Sequence, residues 1–486
     1  MRSNKFFSLL RVILFALVVI LGCVVGFIIP MRPTVSDAEG RVLTEFPEFT
    51  LESFLSGEYT SKLNLWYSDT FPARDALMDG NTSLKVLYGI KTVDFGGKSD
   101  KDEINLDETF VWEDFVAESD NEIYTDPEDS EDVFLEQDTQ SEPGGDTVTE
   151  TVVDTEEEQP SATESKTESA ETETEPLEKE VIDGYYVIGD TAHQLFYFDR
   201  ALVDRYTRSV VQAAIDLDGI AQVYDIIVPT STCFYLSDSE IERLGASDGN
   251  DAITYMYKAI NAYSEQLVEQ GQLKNSVKTL DVRSCLKLHK DEYLFFRTDH
   301  HWTGLGAYYT SRFFLDAVGK AYPSLDEYKT HRIDGFLGTL YRHTQNANLK
   351  NNPDTVYAYE SPTVKKVTVY DDNNDTYVED LLINTSVTSS NKYLCFSSGD
   401  RPYYEIHNES IHDGSAILMI KESYGNAFLP MIADSYEYVY AIDYRFWDGD
   451  LVGLVTEKNI DTVLFLNNLT ATVTNYNIWT MERCIK

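Results

Sequence analysis

The longest uncharged stretch of the chain lies close to its N-terminus. Residues 12–29 (VILFALVVILGCVVGFII) are 18 consecutive residues without a charge, close to the ~20 that a helix needs to cross a bilayer. Arg2, Lys5 and Arg11 precede it, so the positive-inside rule places residues 1–11 in the cytoplasm. A cleaved signal peptide is the alternative, but the stretch exceeds a signal-peptide apolar core and no small-residue cleavage site follows. The pattern predicts an uncleaved single-pass anchor in the cell membrane, with the C-terminal domain outside the cytoplasm.

Beyond the anchor, the pattern of polar and apolar positions divides the chain into three regions. Residues 30–97 mix aromatic residues with helical spacing and predict a helical N-terminal part of the ectodomain. Residues 98–181 are rich in Glu, Asp, Thr and Ser, a composition that cannot bury enough apolar surface to fold. They predict a disordered acidic insert. Folded patterning resumes at 182 and continues to 486.

Short apolar strands alternate with helices in the region 182–486. The predicted strands are Val223–Val228, Val277–Val282, Tyr293–Phe296, Ala416–Ile420, Tyr438–Ile442 and Thr462–Leu466. Helical spacing links Ile253 to Leu267, and a second helix is predicted from Thr303 as its cap to Gly319 as its stop. This alternation predicts a doubly wound α/β fold with a mainly parallel sheet covered on both faces. Residues 331–413 instead alternate over short segments with Asn and Asp turns, which predicts a hairpin-rich β insertion.

Charge and cysteine content exclude several functions. The formal net charge is −44, and Asp100–Glu180 alone carries 31 acidic residues against three lysines. A chain this acidic is repelled by a phosphate backbone, so no nucleic-acid partner is expected. The five cysteines are far apart and form no CxxC pair, so no zinc or redox motif follows. No cofactor is predicted.

Two polar segments follow apolar strands, RTDHHWTG at 297–304 and MIKESYGNAF at 419–428. In an open α/β sheet, ligands bind beyond the carboxyl ends of the strands. Ser423 lies three residues after a buried strand and at the start of a helix, where we expect free backbone N–H groups that can stabilise an oxyanion. It is a candidate nucleophile, and the alternative is a helix N-cap without chemistry.

A serine nucleophile needs a base, and Asp299 with His301 has suitable spacing. In an extended loop, residues two apart project to one side, so the carboxylate can hold one imidazole nitrogen while the other faces the serine. His300 is then expected to point elsewhere. A metal site formed by Asp299, His300 and His301 is the weaker alternative, because adjacent side chains diverge and no third spaced ligand follows.

The run Asp299-His300-His301-Trp302 resembles the signature of the DHHW family of bacterial envelope proteins. That family is similar to the SGNH-type O-acetyltransferases of alginate and related exopolysaccharides, in which an Asp-x-His pair also precedes the nucleophilic serine. The resemblance implies an SGNH-like fold, with Asp299 as orienting acid, His301 as general base and Ser423 as nucleophile. The candidates for oxyanion or substrate contacts are Asn426, Tyr424, Arg445 and Asn467, and for Arg445 and Asn467 the alternative is ordinary loop polarity. Lys421-Glu422 before the serine departs from the family pattern, in which Gly or Asp is more familiar.

Three functions remain open from the sequence. The first is an extracytoplasmic O-acetyltransferase of a cell-envelope polysaccharide, working through an acetyl-serine with a membrane-bound O-acyltransferase as its partner. The second is an SGNH-like carbohydrate esterase with the same catalytic residues, which differs only in using water as acceptor. The third is a non-catalytic envelope scaffold or glycan-binding protein.

Overall fold

The structure is a computed structural model of the 486-residue chain. It describes residues 101–112, 179–182, 184–363, 365–370 and 377–485, and the isolated positions 35–36, 41–42, 46, 49, 59, 62–63, 66–67 and 70. The predicted segments 1–11 and 12–29, and most of 30–97, lie outside the described residues. No helix in the described part of the chain is both long and apolar enough to cross a bilayer.

Strands and helices alternate over most of the described chain. The strands are β1 (Val35–Ser36), β2 (Arg41–Val42), β3 (Lys179–Ile182), β4 (Tyr185–Ile188), β5 (Thr191–Gln194), β6 (Gln222–Val228), β7 (Lys278–Thr279), β8 (Lys329–Phe336), β9 (Asp354–Glu360), β10 (Lys365–Tyr370), β11 (Tyr377–Glu379), β12 (Tyr403–Asn408), β13 (Ala416–Lys421), β14 (Tyr438–Asp443) and β15 (Thr462–Asn468). The helices are α1 (Arg200–Asp216), α2 (Thr232–Tyr235), α3 (Asp238–Arg243), α4 (Gly249–Glu269), α5 (Arg283–Leu288), α6 (Gly304–Val318), α7 (Thr339–Thr344), α8 (Ala347–Asn351), α9 (Gly425–Ile432), α10 (Leu451–Glu457) and α11 (Asn475–Ile485).

An eight-stranded mixed sheet organises the fold, in the order β11-β10-β12-β14-β13-β15-β6-β7. The five strands from β14 to β7 run parallel, as the alternating pattern predicted. Strands β12, β10 and β11 are added antiparallel. The predicted β insertion at 331–413 is therefore only partly separate, because β10, β11 and β12 extend the main sheet while β8 and β9 form a hairpin of their own.

Both faces of the sheet are covered. Every residue of β13 is buried. Leu418 and Ile420 belong to the core that includes α1, α4 and α11, whereas Ile417 and Met419 belong to the core on the other face, with α6 and α9. Alternate residues of a strand point to opposite faces, so a continuous apolar run is what a doubly covered strand requires.

The predicted strand Tyr293–Phe296 is not formed. Leu294 and Phe296 are buried as the pattern implied, but the segment folds back on itself: Phe296 N donates to His301 O at 3.2 Å and Thr303 N to Leu294 O at 2.8 Å. Only an isolated bridge between Phe295 and Trp302 remains. The apolar run therefore indicated burial of a loop, and β7 is likewise shorter than predicted. The helix from Thr303 to Gly319 is confirmed as α6.

The predicted disordered insert is shorter than residues 98–181. Residues 101–112 pack on the domain, with the Phe110 ring edge-on to Tyr255 and Tyr263. Gln266 joins them, since its Nε2 donates to Phe110 O at 2.7 Å and its Oε1 accepts from Trp112 N at 3.1 Å. Residues 179–182 form β3. The prediction was wrong at both ends because averaged acidity hid these aromatic and β-branched residues, and residues 113–178 lie outside the described part.

Candidate active site

Two loops meet at the carboxyl edge of the parallel strands. One follows β13 and carries Ser423, two residues before α9 begins. The other is the fold-back at residues 297–302, which ends where Thr303 caps α6. The Thr303 side chain accepts from Gly306 N at 3.4 Å and donates to Tyr293 O at 2.6 Å. This cap fixes the His301 loop against the start of a helix.

The structure brings Ser423, His301 and Asp299 into one hydrogen-bonded chain. His301 Nε2 lies 2.7 Å from Ser423 Oγ, and His301 Nδ1 lies 2.6 Å from Asp299 Oδ1. A carboxylate can only accept, so the imidazole carries its proton on Nδ1 and presents a lone pair to the serine. All three side chains are at most 4% exposed. The arrangement can move the serine proton onto the histidine.

Asp299 is held from its other side by the β8–α7 segment. Its Oδ2 accepts from Thr339 N at 2.8 Å and from Thr339 Oγ1 at 3.1 Å. Burial alone would raise the pKa of Asp299, but the neighbouring imidazoles of His301 and His300 and these hydrogen bonds hold that pKa well below its usual value. A Cβ added to Gly338 would lie 2.2 Å from Asp299 Oδ2. Glycine is therefore required for the close approach.

The imidazole of His301 is positioned by an aromatic ring. Tyr393 stacks on it with ring centroids 3.9 Å apart and planes 15° apart. The Tyr393 hydroxyl donates to Ser423 O at 3.2 Å and reaches Tyr424 O at 3.4 Å. One side chain thus contacts both the base and the backbone of the candidate nucleophile.

The backbone N–H groups after Ser423, which we predicted to be free, are hydrogen-bonded, and the Glu422 side chain accepts from the first of them. Its Oε2 accepts from Tyr424 N at 3.0 Å, and its Oε1 accepts from Asn468 N at 3.0 Å. Oε2 also lies 3.1 Å from Ser423 Oγ, so it competes with His301 Nε2 for the single hydroxyl proton of the serine. Gly425 N donates to Glu422 O, and Asn426 N donates to Ser423 O. The prediction of free N–H groups at the start of the helix was therefore wrong for residues 424–426, because the turn that precedes α9 and the Glu422 side chain supply their acceptors.

Asn426 and Arg445 belong to a buried ionic network rather than facing the serine hydroxyl. Asn426 Oδ1 accepts from Lys421 Nζ at 2.6 Å, and its Nδ2 donates to Asp400 at 2.6 Å. Arg445 pairs with Asp443 at 2.7 Å and with Asp400 at 3.0 Å. Lys421 also reaches Asp443, at 3.1 Å. These contacts contradict the predicted oxyanion and substrate roles, since they use both polar atoms of the Asn426 amide and anchor the guanidinium of Arg445.

The network has consequences for charge and for local sequence. Burial would raise the pKa of Asp443, but Arg445 and Lys421 beside it lower that pKa below its usual value. Lys421 is completely buried. A Cβ on Gly425 would lie 2.5 Å from the Lys421 side chain, so the glycine after Tyr424 makes room for this lysine.

Tyr424 and Asn467 also serve internal contacts. The Tyr424 hydroxyl donates to His300 O. Asn467 Oδ1 accepts from Tyr444 at 2.8 Å, and its Nδ2 lies 3.4 Å from the Tyr206 hydroxyl. Both residues are 1% exposed. The Asn467 side chain therefore binds Tyr444 and Tyr206, and the prediction that it contacts substrate is corrected. The Tyr424 side chain joins the two loops of the site.

The carboxylate and imidazoles of the site do not suit a metal ion. Donor atoms of Asp299, His300 and His301 lie within 4.8 Å of one another, a grouping found once in the described chain. However, both Asp299 oxygens and both His301 nitrogens are already hydrogen-bonded. Metal binding would have to break these bonds. His300 does not point away as predicted, since its ring lies 3.8 Å from that of His301.

The fold and the site together define the class of protein. It is a mainly parallel α/β domain that carries a hydrogen-bonded serine, histidine and aspartate at the carboxyl ends of its parallel strands. The sequence profile of the DHHW family, described as "DHHW protein", matches residues 39–442. The chain belongs to the DHHW family, as its motif indicated.

Several solved structures are similar to the chain. A DHHW family protein from Eubacterium siraeum has a TM-score of 0.55 and 25% identity, covering 63% of this chain and 97% of that one. PatB1 of Bacillus cereus has a TM-score of 0.47 and 17% identity, covering 62% and 99%. The O-acetyltransferase domain of Pseudomonas putida AlgJ has a TM-score of 0.34 and 13% identity, covering 62% and 96%. No curated protein sequence matches this chain.

Sequence reasoning missed the residues that support the triad. Thr339 and Gly338 are 40 and 39 residues beyond Asp299, in a segment that we interpreted only as part of a β insertion. The signal available was the glycine-threonine pair that lies one residue beyond the end of β8. Tyr393 carried no motif, and Lys421 and Glu422 were noted only as unusual neighbours of the serine.

Proposed function

We propose that the chain is a membrane-anchored, extracytoplasmic O-acetyltransferase of a cell-envelope polysaccharide. The observation that carries the proposal is the unbroken chain of hydrogen bonds from Asp299 through His301 to Ser423. Membership of the DHHW family is consistent with it.

Acyl transfer would proceed in two steps. His301 Nε2 takes the proton of Ser423 as its oxygen attacks the acetyl carbonyl, and returns it to the leaving group of the donor. Ser423 is then an acetyl ester. A sugar hydroxyl next gives its proton to His301 Nε2 and attacks the ester, and Ser423 Oγ leaves with that proton. Asp299 remains ionised and stabilises the imidazolium in both steps.

Glu422 restricts this chemistry in the structure. Its carboxylate bonds Tyr424 N, which is the first backbone donor after the nucleophile. A carboxylate beside a developing oxyanion is unfavourable, so catalysis requires the Glu422 side chain to turn away or to be protonated. This contact specifically favours the alternative of a non-catalytic scaffold. Glu422→Gln separates the two, because loss of the negative charge should raise the activity of an enzyme and should leave a scaffold inactive.

The proposal includes attachment to the membrane and a partner protein that supplies acetyl groups. Residues 12–29 hold the domain at the membrane, where a membrane-bound O-acyltransferase can deliver acetyl groups to it. A reporter fused after Lys486 should be active only outside the cytoplasm. Activity inside the cytoplasm would contradict the proposed site of action.

The catalytic test is hydrolysis of 4-nitrophenyl acetate by the purified full-length chain, with mass spectrometry of the acetyl-serine. Ser423→Ala and His301→Ala should each abolish activity, and the double variant should be scarcely worse than either. Faster transfer to a glycan oligomer than to water favours the transferase over the esterase. If folded wild-type protein forms no acetyl-Ser423, and Ser423→Ala still complements a deletion strain, the scaffold replaces both enzymes.

A further inference from the structure

One polar atom beside the triad has no role in it. His300 Nε2 is buried and has no hydrogen-bond partner among the described residues. A buried polar atom without a hydrogen-bond partner is unfavourable and calls for an explanation. The His300 side chain is 12% exposed, against 1% for His301. That exposure belongs to other atoms of the His300 side chain, because Nε2 itself is buried.

The contacts of His300 define the state of its ring. Its Nδ1 lies 2.5 Å from Thr339 Oγ1. Thr339 has one hydroxyl proton, and Asp299 Oδ2 lies 3.1 Å from the same oxygen. We assign that proton to the carboxylate, which is the stronger acceptor. Nδ1 of His300 must then donate to Thr339, and Nε2 is left with a lone pair and no proton.

The surroundings keep this ring neutral. Burial, together with the neighbouring imidazole of His301, holds the pKa of His300 well below its usual value. The ring is also held in place, because it lies 3.8 Å from the His301 ring and its Nδ1 is bonded to Thr339 Oγ1. The backbone carbonyl of His300 accepts from the Tyr424 hydroxyl. Nε2 is therefore a fixed acceptor that needs a donor such as a hydroxyl group.

We infer that His300 Nε2 binds a second hydroxyl of the acceptor sugar, adjacent to the hydroxyl that His301 deprotonates. The inference rests on the proposed acyl transfer and specifies its acceptor as a vicinal diol. The rings of His300 and His301 are neighbours, with centroids 3.8 Å apart and planes tilted by 37°, so a sugar that offers one hydroxyl to His301 brings the adjacent hydroxyl towards His300. In the transfer step one hydroxyl loses its proton to His301 and gains the acetyl group, while its neighbour keeps its proton and donates to His300 Nε2.

A competition experiment tests this role. The full-length chain, acetylated by 4-nitrophenyl acetate, is offered equimolar 1,2-propanediol and 1-propanol, and the two acetyl esters are quantified. Both products come from the same acetyl-enzyme, so their ratio does not depend on the rate of acetylation. Wild type should favour the diol by about tenfold per hydroxyl, which is the size of effect that one net hydrogen bond supplies.

Two substitutions separate the nitrogens of His300. His300→Asn places an amide N–H near the position of Nδ1 and retains the bond to Thr339 but removes Nε2, so the preference should fall to about one. His300→Gln places its amide near Nε2 and should retain part of the preference. His407→Asn is the matched control, because that ring stacks on Tyr438 at the antiparallel end of the sheet.

An NMR measurement tests the same inference without the His300 variants, so it can be used if those variants do not fold. In Ser423→Ala, the 15N signal of His300 Nε2 should show an unprotonated nitrogen that shifts when 1,2-propanediol is added. A protonated Nε2, or a diol preference that is equal in wild type and His300→Asn, overturns the inference. Absence of acetyl-Ser423 in the wild type is a different result, because it rejects the proposed function itself.

Discussion

The substitution Asp299→Asn tests the triad without removing its shape. The carboxylate accepts two hydrogen bonds on each oxygen: His301 N and Nδ1 on Oδ1, and Thr339 N and Oγ1 on Oδ2. An asparagine has one amide oxygen and one NH2 group. In either orientation its NH2 group faces an N–H donor, at a position now occupied by a contact of 2.6 Å or 2.8 Å.

The expected loss of activity is large because the tautomer of His301 changes. If the amide NH2 faces Nδ1, that nitrogen must become the acceptor, and the proton moves to Nε2, where it cannot accept from Ser423. Such a change costs about 10⁴-fold in kcat, equivalent to about 5.5 kcal/mol of transition-state stabilisation. Folding stability should fall by about 1–3 kcal/mol, because one buried donor loses its acceptor.

The assay is hydrolysis of 4-nitrophenyl acetate, with urea denaturation of the same preparations. Asp334→Asn is the matched control, since Asp334 is 61% exposed and pairs with Arg332 at the surface. We expect that control to remain within a factor of about two of the wild type. If Asp299→Asn keeps more than a tenth of wild-type activity while Ser423→Ala has none, Asp299 does not set the state of the base and the reasoning is refuted.

Three further predictions concern buried positions of the domain, two beside the site and one, Asp225, in β6. Gly338→Ala should lower activity and the melting temperature together, because the new methyl group would lie 2.2 Å from Asp299. Lys421→Met should destabilise the fold by about 3–5 kcal/mol in urea denaturation, because Asp443 loses a buried cation. Burial raises the pKa of Asp225 to about 7, above its unfolded value, so its contribution to stability is present at low pH and is lost as pH rises through 7. Asp225→Asn should therefore be more stable than the wild type at pH 8.5 by up to about 4 kcal/mol, and similar to it at pH 4, in denaturation at both pH values.

The central strands could be predicted because a strand that is buried on both faces has a nearly continuous run of apolar residues. In β13 every residue is buried and all but Lys421 are apolar, and in β15 the residues Val463–Leu466 form a buried apolar run. The same kind of apolar run led to the wrong prediction of a strand at Tyr293–Phe296. Leu294 and Phe296 are as buried as strand residues, but they belong to a folded-back loop. Hydrophobicity reports whether a segment is buried, whereas a strand also needs a partner with free backbone groups.

The triad could be predicted because its chemistry is concentrated in two short segments. Its supports could not, since the shorter bond from Thr339 to Asp299 comes from a backbone N–H, which every residue except proline provides, and the hydroxyl adds only a second bond. The positions of Asn426 and Arg445 were misjudged for a related reason. A polar residue after a strand can serve a ligand or a buried charge, and the choice depends here on Lys421, Asp443 and Asp400, which come together only in the folded chain.

The tryptophan of the DHHW motif has a structural role, because its side chain links the two loops of the site. Trp302 is fully buried and stacks on Phe428 of α9 with planes 7° apart. Its Nε1 donates to Tyr424 O at 3.0 Å, while the Tyr424 hydroxyl donates back to His300 O. These bonds join loops that are 122 residues apart in sequence, and none of them involves Ser423, His301 or Asp299 side chains. The distance from base to serine is therefore set by the loops themselves, so the triad bonds are free to change partners during a reaction without releasing the geometry.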